Sequence, residues 1–340
     1  MNVKPQDFKD VYERITEQII QELENGTPPW IRPWSYTPDV SEDQIQLWPR
    51  NAYSGNFYGG SNVLMCWTHM ARLGLVIGKD EPLFLTFKQA KMLGGHVKKG
   101  EKGIIVIGFR QGTKEVEDEE SGDTKQVSRT YAFGHYVFHI SQTEGVNLKR
   151  QNWKKRPSLL PELSNDANWK SFVKALGVDL RHGGNRAFYH VLGDYVQMPP
   201  VNSFRNLPLY KSVACHEFIH WTGHDSRLKR GLHKNIKGDA QYAEEELIAE
   251  LGAAFLCARL GIEHRELRHA SYIKSWLGVL KNDKRFIFKA SREAMKAVEY
   301  IEELALKGMQ VKKPVSKASG KQAPKARKAA KGMGEASPIH

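Results

Sequence analysis

Residues 216–220 read His-Glu-Phe-Ile-His, and no other feature constrains this chain as tightly. Two histidines four residues apart stand one turn above the other on a single helix face. Their imidazoles can then reach one metal ion. Glu217, between them, can take a proton from a water polarised by that ion. Val213, Ile219 and their neighbours read as a helix over 207–222, and Gly223 is placed to cap its end. Such a site needs a third ligand, so a second element must pack beside this helix.

The spacing is that of the zincin metallopeptidases. In one form of the motif a third histidine follows Gly223 by three residues. That position is Ser226 here, which excludes it. His224 directly follows the helix-ending glycine, where folding back is awkward. The segment 242–256 is better suited. Leu247, Leu251, Ala254, Phe255 and Ala258 form an apolar stripe at helical spacing, with Glu246 and Glu250 one turn apart beside it. Gluzincin-type peptidases present their third ligand in a similar Glu-x-x-Ala-acid pattern. Glu246 is therefore the expected third ligand. Glu250 is expected to hold a ligand histidine by its distal N–H, or to be the alternative ligand. Glu244 and Glu245 suit a helix N-terminus. Zn2+ is the expected ion, and other divalent transition metals suit the same donors.

The formal charge is +13, and much of it is terminal. Eight cations lie between Lys312 and His340 against one acid, Glu335. With Ala, Pro, Gly and Ser making up most of the rest, residues 309–340 read as a disordered basic tail able to bind polyanions. No apolar run is long enough to predict a membrane span. The first residues show no signal peptide, and Cys66, Cys215 and Cys257 are scattered. Together these suit a cytoplasmic protein.

The remainder divides into an α+β domain over 1–145, a basic linker over 146–160 and a mostly helical domain over 161–308. In the first, Val11, Ile15, Ile19 and Leu23 mark a helix ended by Asn25-Gly26. Further helices are expected at 62–73 and just after Thr86. A strand over 103–109 returns over 129–140 through an exposed acidic hairpin. On the returning strand Ala132, Tyr136 and Phe138 face one side; Tyr131, Phe133, His135 and His139 face the other. In the second domain a helix over 166–176 and strands over 188–197 precede the two ligand helices. Two more helices follow, near 268–281 and 284–307.

The first domain also places Trp30, Trp34, Tyr53 and Tyr58 in loop-like segments, with Arg32, Lys98, Lys99 and Lys102 among them. Rings that stack bases and cations that follow a backbone are what single-stranded DNA requires.

Taken together, these segments resemble the ArdC-type antirestriction proteins of conjugative plasmids. The likeness rests on Ile19–Trp30, Tyr58-Gly59-Gly60-Ser61-Asn62, Lys99–Gly103 and Phe138–Gly145 in the first domain. In the second it rests on His216–His224 and Glu245–Glu250. It implies an N-terminal domain that binds single-stranded DNA, joined to an SprT-like zincin domain. SprT-like domains use a third histidine where this chain offers Glu246, so that part of the likeness concerns the fold alone. The implied role is protection of incoming plasmid DNA from restriction, with DNA-bound proteins as candidate substrates. A DNA-binding shield or primase-associated protein with a structural metal is the alternative reading.

Overall fold

The structure is a computed structural model, and it describes residues 10–26, 28, 30, 47–117, 124–148, 153, 166–232, 240–262 and 270–309. Residues 310–340 of the basic tail, most of the 146–160 linker, Arg32 and Trp34 lie outside the described residues.

Helix α1 (Val11–Glu24) starts where Asp10 accepts a hydrogen bond from the Glu13 N–H at 3.0 Å. It ends at Asn25, with Gly26 taking φ of 71°. A four-stranded sheet follows, ordered β1 (Arg50–Asn51), β2 (Leu83–Leu85), β5 (Thr124–His139), β4 (Ile104–Glu117). Helix α2 (Ser61–Arg72) and the short α3 (Phe87–Met92) lie between these strands in the chain. Thr86 and Gln89 close a reciprocal capping box on α3. A two-stranded pair joins β3 (His96–Val97) to β6 (Thr143–Glu144).

The β4–β5 ladder is longer than the apolar pattern predicts. It runs antiparallel from Ile104↔Val137 to Glu117↔Thr124, well past the buried base of the ribbon. Cross-strand backbone bonds hold the outer part, where neither face is fully covered.

The second half opens with α4 (Asp166–Leu176). A three-stranded sheet follows, ordered β7 (Asp179–His182), β9 (Tyr195–Met198), β8 (Phe188–His190). Then come α5 (Leu207–Thr222), α6 (Ala240–Leu260), α7 (Ala270–Asn282) and α8 (Phe286–Gly308). No described helix is long and apolar enough to cross a membrane. The family of elements is thus α+β throughout, with a sheet in the first half and a mostly helical second half.

One apolar core runs through both halves. Trp48 and Trp67 meet edge to face, and each packs against Phe255 of α6 at centroid distances of 5.4 and 5.8 Å. Arg259 of α6 lies 4.2 Å over the Trp48 ring and pairs with Glu302 of α8. Helix α1 is tied to the end of α7 by Lys284–Asp10 and Lys281–Glu24 pairs, and the Thr16 hydroxyl donates to the Lys284 carbonyl. The described residues from Asp10 to Met309 accordingly belong to a single compact unit. Phe255→Ala should destabilise the fold by about 3–5 kcal/mol. Urea unfolding followed by tryptophan fluorescence and by circular dichroism should give coincident single transitions. Two resolved transitions would contradict the shared core.

Candidate metal centre

Helix α5 is built to start and stop where the histidines need it. The Asn206 side chain accepts from the Leu209 N–H at 2.9 Å, and Pro208 sits in the first turn. The helix is buried on nearly every face, as suits a central element. Helix α6 lies close against it because Gly252 has no side chain. A Cβ there would fall 2.8–2.9 Å from the Ile219 side chain.

This crossing brings His216, His220 and Glu246 together, with one donor atom from each lying within 4.8 Å of the others. The two Nε2 atoms are 3.1 Å apart. Glu246 oxygens stand 3.7 Å from each of them. Bonds of about 2.0–2.1 Å to a tetrahedral ion put donors about 3.3 Å apart, so these separations fit a divalent transition metal. The tautomers point the same way. His220 donates its Nδ1–H to Glu245 at 2.9 Å, which leaves a lone pair on Nε2 facing the other ring. Two ring nitrogens and a carboxylate converge there, and once His220 Nε2 has given up its proton they form a donor set for a cation.

Two further acids of α6 stand behind the donors. Glu250 stands behind His216, its Oε1 3.6 Å from Nδ1, beyond hydrogen-bond distance. Glu245, read from sequence as a helix-end charge, instead holds His220. It is held in turn by Arg230, whose guanidinium donates through Nε and Nη2 to both carboxylate oxygens at 2.8 Å. The same guanidinium donates to the Thr222 hydroxyl and the Ile219 carbonyl. Gly223 makes room for it, since a Cβ there would lie 2.8 Å from Arg230 Nη2. Burial alone would raise the Glu245 pKa. The charge and hydrogen bonds of Arg230, with those of His220, outweigh burial and hold it below the ordinary carboxylate value. His224 is no ligand here: its Nδ1 pairs with Ser226.

Glu217 faces the same site from α5. Burial raises its pKa, opposed by the neighbouring histidines and by a hydrogen bond from the Tyr189 backbone N–H. Tyr189 belongs to β8, an edge strand of its sheet. Its hydroxyl donates to Asp194 in the β8–β9 turn, and Arg227 grips both. The loop after α5 therefore fixes both flanks of the site. Arg227 secures the strand beside Glu217, and Arg230 secures the acid behind His220.

Arg230→Met keeps the buried stem but removes the fork that orients Glu245. Metal affinity should fall about 10–100-fold, the usual cost of losing an outer partner of a ligand. Competition with a chromogenic chelator measures it. Unchanged affinity would show that Glu245 holds His220 unaided.

The expected DNA-contacting residues differ in their exposure. Trp30 is fully buried, its ring edge-on to Trp276 at 5.7 Å, so in this structure neither face is open to a base. Tyr58 is largely enclosed, edge-on to Phe84, and burial raises its hydroxyl pKa. Tyr53 is exposed, as are Lys98, Lys99 and Lys102; Lys98 Nζ donates to the Ser141 carbonyl.

A buried His-His-Glu donor set on crossed helices, with a carboxylate beside it, defines a zincin-like metallopeptidase domain, and residues 167–293 match the family model of that description. Residues 9–138 match the N-terminal domain of anti-restriction factor ArdC. The chain belongs to the ArdC-type antirestriction family. It is similar to the crystal structure of antirestriction ArdC from the R388 plasmid in its metal-free form. That likeness is 37% identity and a TM-score of 0.69, over 88% of this chain and 99% of that one. The Mn(II)-bound structure of the same protein gives 35% and 0.67, over 87% and 98%. Protein y4eC of Sinorhizobium fredii is 33% identical over 87% of this chain and 93% of its own length. The DNA primase TraC of Escherichia coli is 32% identical over 86% of this chain, which spans 27% of that longer protein.

Proposed function

We propose that this chain binds single-stranded DNA without sequence preference and thereby protects incoming plasmid DNA from restriction. We further propose that its metal centre, formed by His216, His220 and Glu246, is a zinc peptidase site. The observation that carries the second part is Glu217. Its buried carboxylate stands beside the donor set and is aimed by the Tyr189 N–H.

When bound, a divalent ion supplies Lewis acidity to a peptide carbonyl and to the attacking water. The chain supplies the rest. Glu217 is the base, and burial makes its carboxylate a better proton acceptor than an exposed one. The Tyr189 N–H keeps that carboxylate in place. Glu245 and Arg230 hold the His220 ring, and Glu250 stands behind His216. Strand β8, at the sheet edge, offers an extended segment for a polypeptide to lie along. Proteins bound to DNA are the substrates that would meet both activities.

Protection is the reading's biological test. Transfer of an unmodified plasmid into a restricting recipient should be rescued by the wild-type chain and equally by Glu217→Gln, because coating DNA needs no hydrolysis. Purified protein should bind oligonucleotides with an affinity that falls steeply with salt. Loss of protection by Glu217→Gln with DNA binding intact would make proteolysis the mechanism.

A further inference from the structure

Among the described residues, four of the six exposed Phe and Tyr rings lie on the β4–β5 ribbon, the other two being Tyr53 and Phe87. Among the described residues, Phe109, Tyr131, Phe133 and Tyr136 of the ribbon are 37–61% exposed. The register sorts them by face. Residues paired as Gly108↔Phe133, Arg110↔Tyr131 and Gly112↔Arg129 share one face, with His135 nearer its base. Phe109, Gln111, Thr113 and Glu115 share the other with Ala132, Thr130, Ser128 and Gln126, and with Tyr136 nearer its base, whose hydroxyl accepts from Arg14.

The two faces differ in more than composition. Phe133 lies over Gly108, where a Cβ would come within 2.7 Å of the ring. Tyr131 leans over Gly112, where a Cβ would meet its ring at 3.0 Å. The missing side chains let both rings lie down on the ribbon with an outer side in solvent. His135 continues the row, 5.5 Å from Phe133 and tilted by 32°. Arg110 and Arg129 flank the rings, and among the described residues no carboxylate pairs with either. The one described carboxylate of the outer ribbon whose side chain is placed, Glu115, is on the opposite face.

We propose that this Tyr131–Phe133–His135 face, flanked by Arg110 and Arg129, is the platform on which single-stranded DNA stacks. The proposal rests on the DNA-binding reading above and moves the contact surface away from Trp30 and Tyr58. Rings supply sequence-tolerant stacking and the guanidiniums follow the phosphates.

The test uses the full-length chain and a fluorescent oligothymidylate, read by anisotropy. Tyr131→Ala and Phe133→Ala should each weaken binding by about 5- to 150-fold. Phe133→Leu should also weaken it, since it keeps the bulk and loses the π-face. Arg110→Gln and Arg129→Gln should each flatten the dependence of log K on log salt by about 0.7. Phe109→Ala, on the opposite face, should bind as wild type. Melting temperatures matching wild type confirm that each variant is folded. If wild type binds and Tyr131→Ala and Phe133→Ala bind equally well, the platform is refuted while the DNA reading stands. If Phe109→Ala costs as much as Phe133→Ala, the choice of face is wrong. If the wild-type chain binds no single-stranded DNA, the DNA reading itself falls, and this proposal with it.

Discussion

Glu217→Gln should lower metal-dependent hydrolysis of an unfolded protein such as casein by about 10²–10⁴-fold. The amide has nearly the same size and can still accept the Tyr189 N–H. It cannot accept a proton from water. Glu217 is not among the three donors that converge at the centre, so metal content should be unchanged. Burial is what makes the effect large, because bulk water does not readily replace the lost base at a site where His216, Glu217 and Glu246 are each less than a tenth exposed. Hydrolysis and metal content measured on the same preparation separate a lost base from a lost ion. Equal rates for wild type and variant would remove Glu217 from the chemistry.

His216→Ala should take metal content from about one ion per chain to near zero, because two remaining donors seldom retain zinc. The wild type should melt at lower temperature when a chelator is added, and the variant should not respond. Acidity acts through the other histidine. Burial disfavours its charge, but the Glu245 bond and the surrounding carboxylates prevail and raise the His220 pKa to about 9 in the metal-free protein. A raised pKa means that a proton must leave before the ion can bind. Apparent affinity should therefore climb as pH rises towards that value and level off above it. Stoichiometric metal in purified His216→Ala would refute the donor set.

Much of this was legible before any coordinates. The α5 limits could be read directly, since Gly223 and the buried pattern marked its end, and the His-Glu spacing named its chemistry. Thr86 and Gly26 are local signals, and local signals survive folding. Glu245 was not legible in the same way. Its role depends on Arg230, which lies fifteen residues earlier, across a loop, and reaches it only once Gly223 leaves space. Strand β7 escaped notice because Asp-Leu-Arg-His has little apolar pattern and is held by its pairing with β9. The rings misled for a physical reason. Trp30 sits among prolines, where no periodicity marks a core position, yet tertiary packing buries it. Tyr131 and Phe133 sit on a regular strand, where alternation suggests packing, yet the ribbon carries them beyond the core.

The Trp48–Trp67–Phe255 contact bears on how such genes can be rearranged. A recombination event that cut between residues 145 and 160 would strip Phe255 from two tryptophans, and each large ring buries 150–250 Å² in a typical core. The severed N-terminal piece would present that patch to solvent and self-associate. Shuffling should therefore preserve the whole stretch from α1 to α8 as one heritable cassette. The alignment with TraC has this form: 86% of this chain is matched inside a protein several times longer. New activities would be gained by adding segments outside the cassette rather than by exchanging its halves.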